Sequence, residues 1–414
     1  MRPFRALTYR QRDPAYLARV SSPAYDLVTP TGRDRLAEAD PHNVVRLILP
    51  RTVDAASGAD APAHLAASTL RTWVTERVLV RDPRPALWLY ELAPPDGPAA
   101  TTGWLGAVTI PPVGSPAILP HEDTFPDAVE GRRALLAATG TDLEPIVLAH
   151  DPQPELDERA RQVRRGAATL QLTDADGVRH RLWRVTDAGV VASVTGALGR
   201  ARAVIADGHH RFAAARAHGG ADGADAVLAL LTPMGAGGLR VDPIHRVVPG
   251  LSFPSAVESA GRGFVTAAVP VGADGWPGVA AAARAWLHDP AERGLLITDG
   301  RSLVRLSAPT SEVRDAVPAE APPAWRELDV VLAHHGLIGR LWGRPDTVDS
   351  VLVAHRLEEA VRSAAEGAGV AVLLRAPSPT DVAAVARAGA RMPRKSTLFV
   401  PKPRTGLVFR PLAD

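Results

Sequence analysis

Ala203-Val-Ile-Ala-Asp207-Gly208-His209-His210-Arg211-Phe-Ala-Ala-Ala-Arg216 decides the fold: an apolar run of strand character enters a polar turn, and an alanine-rich helix follows. A strand that ends in Asp-Gly and reopens as a helix leaves unpaired backbone N–H donors. They face one spot together with the positive end of the helix dipole, and that spot suits an anion. Gly208 permits the sharp turn and the close approach of a ligand. Arg211 has the fork needed to hold a phosphate bidentately, while Asp207 can accept a proton or bind a divalent cation. His209 and His210 place two more titratable groups on the same turn, and such clusters favour a site over decoration. The stretch reads as a phosphate-handling turn. The bland alternative is an Asp-Gly turn whose histidines are satisfied by backbone carbonyls.

The chain around it has 414 residues, enough for roughly two or three domains with a real core. It contains no cysteine, which excludes disulfides, thiolate metal sites and a cysteine nucleophile. Met1-Arg-Pro-Phe-Arg-Ala-Leu-Thr-Tyr9 has no apolar run of signal-peptide length, and no segment approaches the ~20 apolar residues of a membrane span. The expectation is a soluble, cytoplasmic protein. Net charge is +2, from 47 basic and 45 acidic residues, and these are interspersed without a polybasic stripe. The pI of about 9.3 reflects only that small excess, carried mostly by arginine, so charge gives no support for a nucleic-acid partner.

Strand and helix patterns alternate along the chain, with no repeat at solenoid spacing. Residues 44–49, 86–92 and 103–110 read as strands, with a helix over 63–76. A helix over 132–138 and strands over 139–148, 168–173, 180–185, 203–206, 225–231 and 240–248 follow. Helices over 281–287, 327–341 and 379–388 lead to a last strand at 395–400. Connectors fall at Asp54–Pro62, Ala93–Pro98 and Pro318–Pro323, and Gly235–Gly238 reads as a hairpin rather than a dinucleotide fingerprint. This predicts a mixed α/β fold in three regions: 1–115, a core at 116–250 that carries the turn, and 251–414.

Other constellations carry chemistry less sharply. His121-Glu122 offers a Glu able to deprotonate a hydroxyl, although a Glu opening a helix often serves only the dipole. Met392-Pro-Arg-Lys395-Ser396-Thr397 suits a phosphate without the glycines of a Walker A loop; its bland reading is a solvated basic turn. His245-Arg246 ends a strand, and His334-His335 lies in a helical run that mixes core and surface faces. A zinc site from His121, Glu122, His209 and His210 lacks a His-Glu-x-x-His pattern, and no Gly-x-Ser-x-Gly marks a serine hydrolase.

Read in order, Pro23-Ala-Tyr-Asp26, Asn43-Val-Val-Arg46-Leu-Ile-Leu-Pro50, Leu119-Pro-His-Glu-Asp-Thr124, Asp207–Arg211, Pro243-Ile-His-Arg246, Met392–Thr397 and Thr405-Gly-Leu-Val408 resemble the domain of unknown function 1015 family over about Phe4 to Pro411. The middle third is similar to the ParB/sulfiredoxin superfamily, through His121-Glu122, a helix, Gly140-Thr-Asp-Leu-Glu-Pro145-Ile-Val147 and Ile205–Arg211. Its free serine kinase branch pairs His-Glu with Asp-Gly-His-His-Arg. Two positions depart from the family pattern: Val129 stands where a lysine is usual, and Ala24 where a second proline is usual.

The resemblance implies a ParB/sulfiredoxin-like core with a mixed sheet and α/β additions at both ends. It implies a nucleotide-dependent small-molecule kinase acting on a hydroxyl of serine or a serine-like amino acid, using ATP or ADP with Mg²⁺. In that reading Glu122, Asp207 and His209 are catalytic, with Asp207 the metal partner. His121, Gly208, His210, Arg211, Lys395, Ser396 and Thr397 bind phosphate, and Arg46, His245 and Arg246 contact substrate. The alternatives are a nucleotide-binding switch without turnover and a metal-dependent hydrolase.

Overall fold

A computed structural model describes the chain except residues 52–59, 96–99, 223, 224, 236, 348, 368, 394 and 414 and the side chains of 220–222. The expected connectors at Asp54–Pro62 and Ala93–Pro98 and the Gly235–Gly238 hairpin therefore lie partly outside the described residues. The fold is mixed α/β, as expected, but the chain divides into two units. Unit 1 comprises Met1–Leu239 and Pro401–Asp414, and unit 2 is Arg240–Val400. The expected boundary at 115/116 falls within one sheet, so the first two regions are a single body.

The unit 1 sheet has eight strands, in chain order β1 (Leu87–Ala93), β2 (Thr101–Thr109), β3 (Ile118–Leu119), β4 (Ile146–His150), β5 (Leu170–Thr173), β6 (Arg179–Val185), β7 (Ala203–Asp207) and β8 (Ala226–Pro233). Their spatial order is β3-β7-β4-β8-β2-β1-β6-β5. Strand β7 runs parallel to β3 and antiparallel to β4, while β8 runs parallel to β4 and antiparallel to β2. Both faces are covered: Trp88, Tyr90, Leu228 and Leu230 belong to one apolar core, and Leu87, Leu89, Val227 and Ala229 to the other. Continuous apolar runs such as Ala226–Leu231 follow from that two-sided burial.

Helices α1 (Pro30–Ala39), α2 (Val45–Ile48), α3 (Ala61–Thr75), α4 (Pro126–Thr139) and α5 (His209–Asp222) supply the site's surroundings, with α4 against both α3 and α5. Residues 44–49, expected as a strand, form α2 instead. Asn43 overrides their β propensity: its Oδ1 accepts the Val45 N–H at 2.9 Å and its Nδ2 donates to Arg19 O at 2.6 Å, which turns the chain into a helical stub. The last residues close unit 1, because Arg410–Pro411 pairs with Thr141–Asp142 and Phe409 bridges to Leu7.

Unit 2 is an antiparallel six-stranded sheet in the order Val265–Ala268, Leu303–Ser307, Leu295–Thr298, Gly369–Leu373, His245–Pro249 and Leu352–Ala354. The expected strand at 240–248 is split, with Arg240–Asp242 paired to Leu398–Val400, because Pro243 cannot continue the ladder. The expected 327–341 helix is a short turn, Asp329–Val331, continued as a π-helix over Leu332–Leu341.

A buried ion pair helps to hold the returning C-terminus. Arg410 donates to Asp142 Oδ2 at 2.7 Å and to Ala226 O at 2.9 Å, and the Leu228 N–H donates to the same carboxylate oxygen at 2.8 Å. Arg410→Met leaves that carboxylate buried beside apolar surface and is expected to destabilise unit 1 by about 3–5 kcal/mol. Urea denaturation of the variant against wild type checks this, and an unchanged midpoint contradicts it.

Candidate functional site

The carboxyl ends of the parallel strands β3 and β7 and the start of the antiparallel β4 meet at one edge of the unit 1 sheet. The register of β7 on β4 shifts between Ile205 and Asp207, which re-aims Asp207 as the strand ends. Gly208 follows at φ 93°, and α5 begins at His209. A Cβ on Gly208 would sit 2.8 Å from Ile146 Cγ2, so both the backbone angle and the space at this turn require glycine.

His121 follows β3, and its N–H donates to His209 Nε2 at 3.3 Å, with the two rings edge-on at 4.6 Å. His210 Nε2 accepts the Phe125 N–H at 3.1 Å, and the two rings stack at 5.9 Å. The His121-Glu122 segment therefore lies against the start of α5, although it occupies a loop ahead of α4 rather than a helical turn. His121 and His209 are buried and Glu122 is half-buried.

Asp207 is the hub of the site. Its Oδ2 accepts from Arg211 Nη2 at 2.5 Å, and its Oδ1 lies 2.6 Å from Lys402 Nζ. Lys402 reaches equally to Asp26 Oδ2, also at 2.6 Å, and so bridges two carboxylates. Arg211 Nη1 donates to Pro145 O at 2.5 Å, and its guanidinium lies 5.6 Å from the Tyr25 ring, over which Arg132 sits at 4.4 Å. Glu144 Oε1 accepts the Tyr25 N–H at 3.1 Å and the Thr405 hydroxyl at 2.9 Å. Lys402, Asp26, Tyr25, Glu144 and Arg132 were not expected here. The lysine had a signal, since the whole chain holds two lysines, Lys395 and Lys402, among 47 basic residues.

These contacts reassign two residues. Burial alone would raise the Asp207 pKa, but Lys402 and Arg211 outweigh it and hold the carboxyl at about 2. A carboxylate that acidic is a poor general base near neutral pH. Both of its oxygens are occupied by cations, and among the described residues no group of three or more His, Asp or Glu side chains can hold a metal ion. The donor set thus does not fit Mg²⁺ at Asp207, and it does not fit a zinc site at His121, Glu122, His209 and His210. Arg211 is likewise anchored on Asp207 and Pro145 and is not a free phosphate fork.

The remaining expected residues divide between the two units. Arg46 donates to Ala37 O at 2.6 Å and ties α2 to α1. Lys395, Ser396, Thr397, His245 and Arg246 belong to unit 2 and gather at one corner of it. There Arg246 donates to Ile244 O and Lys395 O, each at 3.0 Å, and Ser396 Oγ donates to Pro393 O at 2.6 Å. His245 accepts the Leu374 N–H at 3.2 Å, and burial, helped by Arg246, pushes its pKa down to about 4. These contacts pack the corner through the Lys395 backbone and the Ser396, His245 and Arg246 side chains, and the Lys395 side chain is exposed.

Residues 1–331 match the family described as "Protein of unknown function (DUF1015)", and the chain belongs to that family. The match ends before Met392–Thr397 and Thr405–Val408. No curated protein matches the chain. Among solved structures, SbnI with a C-terminal truncation from Staphylococcus aureus is 14% identical, covering 75% of this chain and 88% of its own, with a TM-score of 0.38. A free serine kinase in complex with AMP is 14% identical over 75% and 95%, with a TM-score of 0.35. A conserved hypothetical protein from Pyrococcus furiosus is 12% identical over 75% and 96%, also at 0.35. Likenesses this remote leave the argument to the site itself.

The depressed pKa of Asp207 makes the site acid-sensitive. For a carboxylate whose folded pKa lies below its ordinary 3.8, the stabilisation is complete above that value and is lost as pH falls toward about 2. The contribution is on the order of 2 kcal/mol. Asp207→Asn is expected to lower stability at pH 7 and to flatten the loss of stability between about pH 4 and pH 2. Chemical denaturation of both proteins across that range checks it, and parallel pH profiles contradict it.

Proposed function

We propose that unit 1 is a nucleotide-dependent small-molecule phosphotransferase, transferring a phosphoryl group from ATP or ADP to the hydroxyl of serine or a serine-like amino acid. The observation that carries this reading is the seating of His121 on His209, which brings His121-Glu122 to the N-terminus of α5 across 88 positions of sequence. The turn and the His-Glu segment are the two elements that resemble the free serine kinase branch, and here they are neighbours.

In this reading the N-terminal amides of α5 and His210 receive the phosphates. Glu122 takes the proton of the acceptor hydroxyl as its oxygen bonds to phosphorus and the bond to the departing nucleotide phosphate breaks. Asp207, Arg211 and Lys402 act at one remove. They fix the turn so that its amides are already aimed where charge collects, and positioning of that kind supplies most of the acceleration in phosphoryl transfer.

A nucleotide that binds the native state raises its melting temperature, so ATP or ADP is expected to stabilise the protein, and His210→Ala to weaken that response. Glu122→Gln is expected to retain nucleotide binding and to lose transfer to hydroxy amino acids by a factor of about 10²–10⁴. Thermal shifts and transfer of labelled phosphate measure the two separately. Absence of any nucleotide response, or full transfer by Glu122→Gln, overturns the reading.

A further inference from the structure

A cleft of about 320 Å³ opens between the start of α1, the end of α2, the start of α3 and the middle of α4. Its walls include Pro30, Pro50 and Leu135, and three arginines line it: Arg33, Arg51 and Arg132. Two of them are held one peptide apart, because Arg132 Nη1 donates to Ile48 O at 3.0 Å and Arg33 Nε donates to Leu49 O at 3.1 Å. Arg33 and Arg51 share Asp34, at 3.2 and 2.8 Å. Glu130, on the same stretch of α4, is engaged by Arg133 at 2.6 Å. Of the three guanidinium groups that line this concave, partly apolar cleft, Arg33 and Arg51 share the Asp34 carboxylate. Among the described residues, Arg33 Nη2 and the Nε and Nη2 of Arg132 donate to no protein acceptor.

We infer that this cleft is a binding site for a small metabolite bearing an oxyanion, a carboxylate or a phosphomonoester. The prolines and Leu135 cover the carbon skeleton, and the arginine forks read the planar or tetrahedral oxygens. Volume and charge agree, since a cleft of this size takes a small organic molecule and its surplus of positive charge selects an anionic one. Arg46, the arginine of this region that the sequence singled out, does not line it. Arg132 also lies over Tyr25, the ring that Arg211 approaches from the candidate site. In the phosphotransfer reading the cleft would hold the acid end of the acceptor. The inference itself concerns binding and does not require that reading.

The test uses the full chain with malonate and inorganic phosphate as probes and glycerol as a neutral control, followed by calorimetry. Arg51→Gln alters an exposed guanidinium without touching the core, and Arg132→Gln alters the one shared with Tyr25. Binding of malonate supports a carboxylate site and binding of phosphate a phosphomonoester site, provided that each variant weakens it by about tenfold. Added salt is expected to weaken binding further. The inference is overturned if neither probe binds more tightly than glycerol, or if both variants bind as wild type does. A phosphate signal insensitive to Arg51 and Arg132 belongs to the N-terminus of α5 and likewise overturns it. Nucleotide thermal shifts on the same variants separate this outcome from failure of the phosphotransfer reading.

Discussion

The ammonium of Lys402, held between Asp26 and Asp207, is the constraint on which unit 1 depends. It joins three segments remote in sequence: the motif near the N-terminus, the end of β7, and the chain that returns after the intervening residues 240–400. Lys402 and Asp207 are largely shielded from water, so removing either leaves a charge that is expensive to bury, while Asp26 lies at the exposed end of the bridge. A lysine suits the position because a compact ammonium offers three donors around one point, whereas the flat fork of an arginine is built to face a single carboxylate. Arginine otherwise supplies nearly all the positive charge of this chain, so the retention of a lysine here has a geometric reason.

The same bridge fixes what the site can do chemically. Asp207 is kept ionised by Lys402 and Arg211, and Arg211 is in turn braced against Pro145 and Tyr25, so these charges offset one another. In the proposed reading, an incoming anion meets no loose arginine or lysine among the described residues of the turn. It finds backbone amides and the dipole of α5, held in place by a network that does not have to reorganise. In the proposed reading the proton-transfer role rests on Glu122 rather than Asp207, and β3 delivers the His121-Glu122 segment to the same edge.

Much of this was legible in the sequence for physical reasons. The strand–Gly–helix passage at 203–216 announces itself because only glycine tolerates φ 93° against Ile146, and because the hydrophobic period changes at that point. The buried strands of the large sheet declared themselves as continuous apolar runs. Residues 44–49 look the same by composition, and they form a helix because Asn43 caps them locally at Val45 and is itself held by a tertiary bond to Arg19 O that no local pattern encodes. The division into units was hidden because β1 and β2 pair with strands far along the chain. Lys395 carried an obvious motif and Lys402 did not, yet Lys402 occupies the site, because its partners at 26 and 207 become neighbours only after folding.

The return segment is secured a second time, two residues beyond Lys402. The Arg404 N–H donates to the Tyr90 hydroxyl at 2.9 Å, that hydroxyl lies 2.8 Å from His180 Nδ1, and His180 Nε2 lies 3.0 Å from Asp174 Oδ2. Burial lowers the His180 pKa, which favours the neutral ring. With the proton on Nε2, every member is satisfied: the ring donates to Asp174 and accepts from Tyr90, and Tyr90 in turn accepts from the backbone of Arg404. The chain runs from the β5–β6 turn through the sheet to the returning strand, and it is anchored again where Arg404 Nε donates to Ser21 Oγ at 2.9 Å. Lys402 therefore does not hold its two carboxylates by ion pairing alone. The backbone that carries it is positioned by a directional hydrogen-bond network that ends on the Asp174 carboxylate, and that lets a single ammonium keep the turn at Gly208 in one geometry.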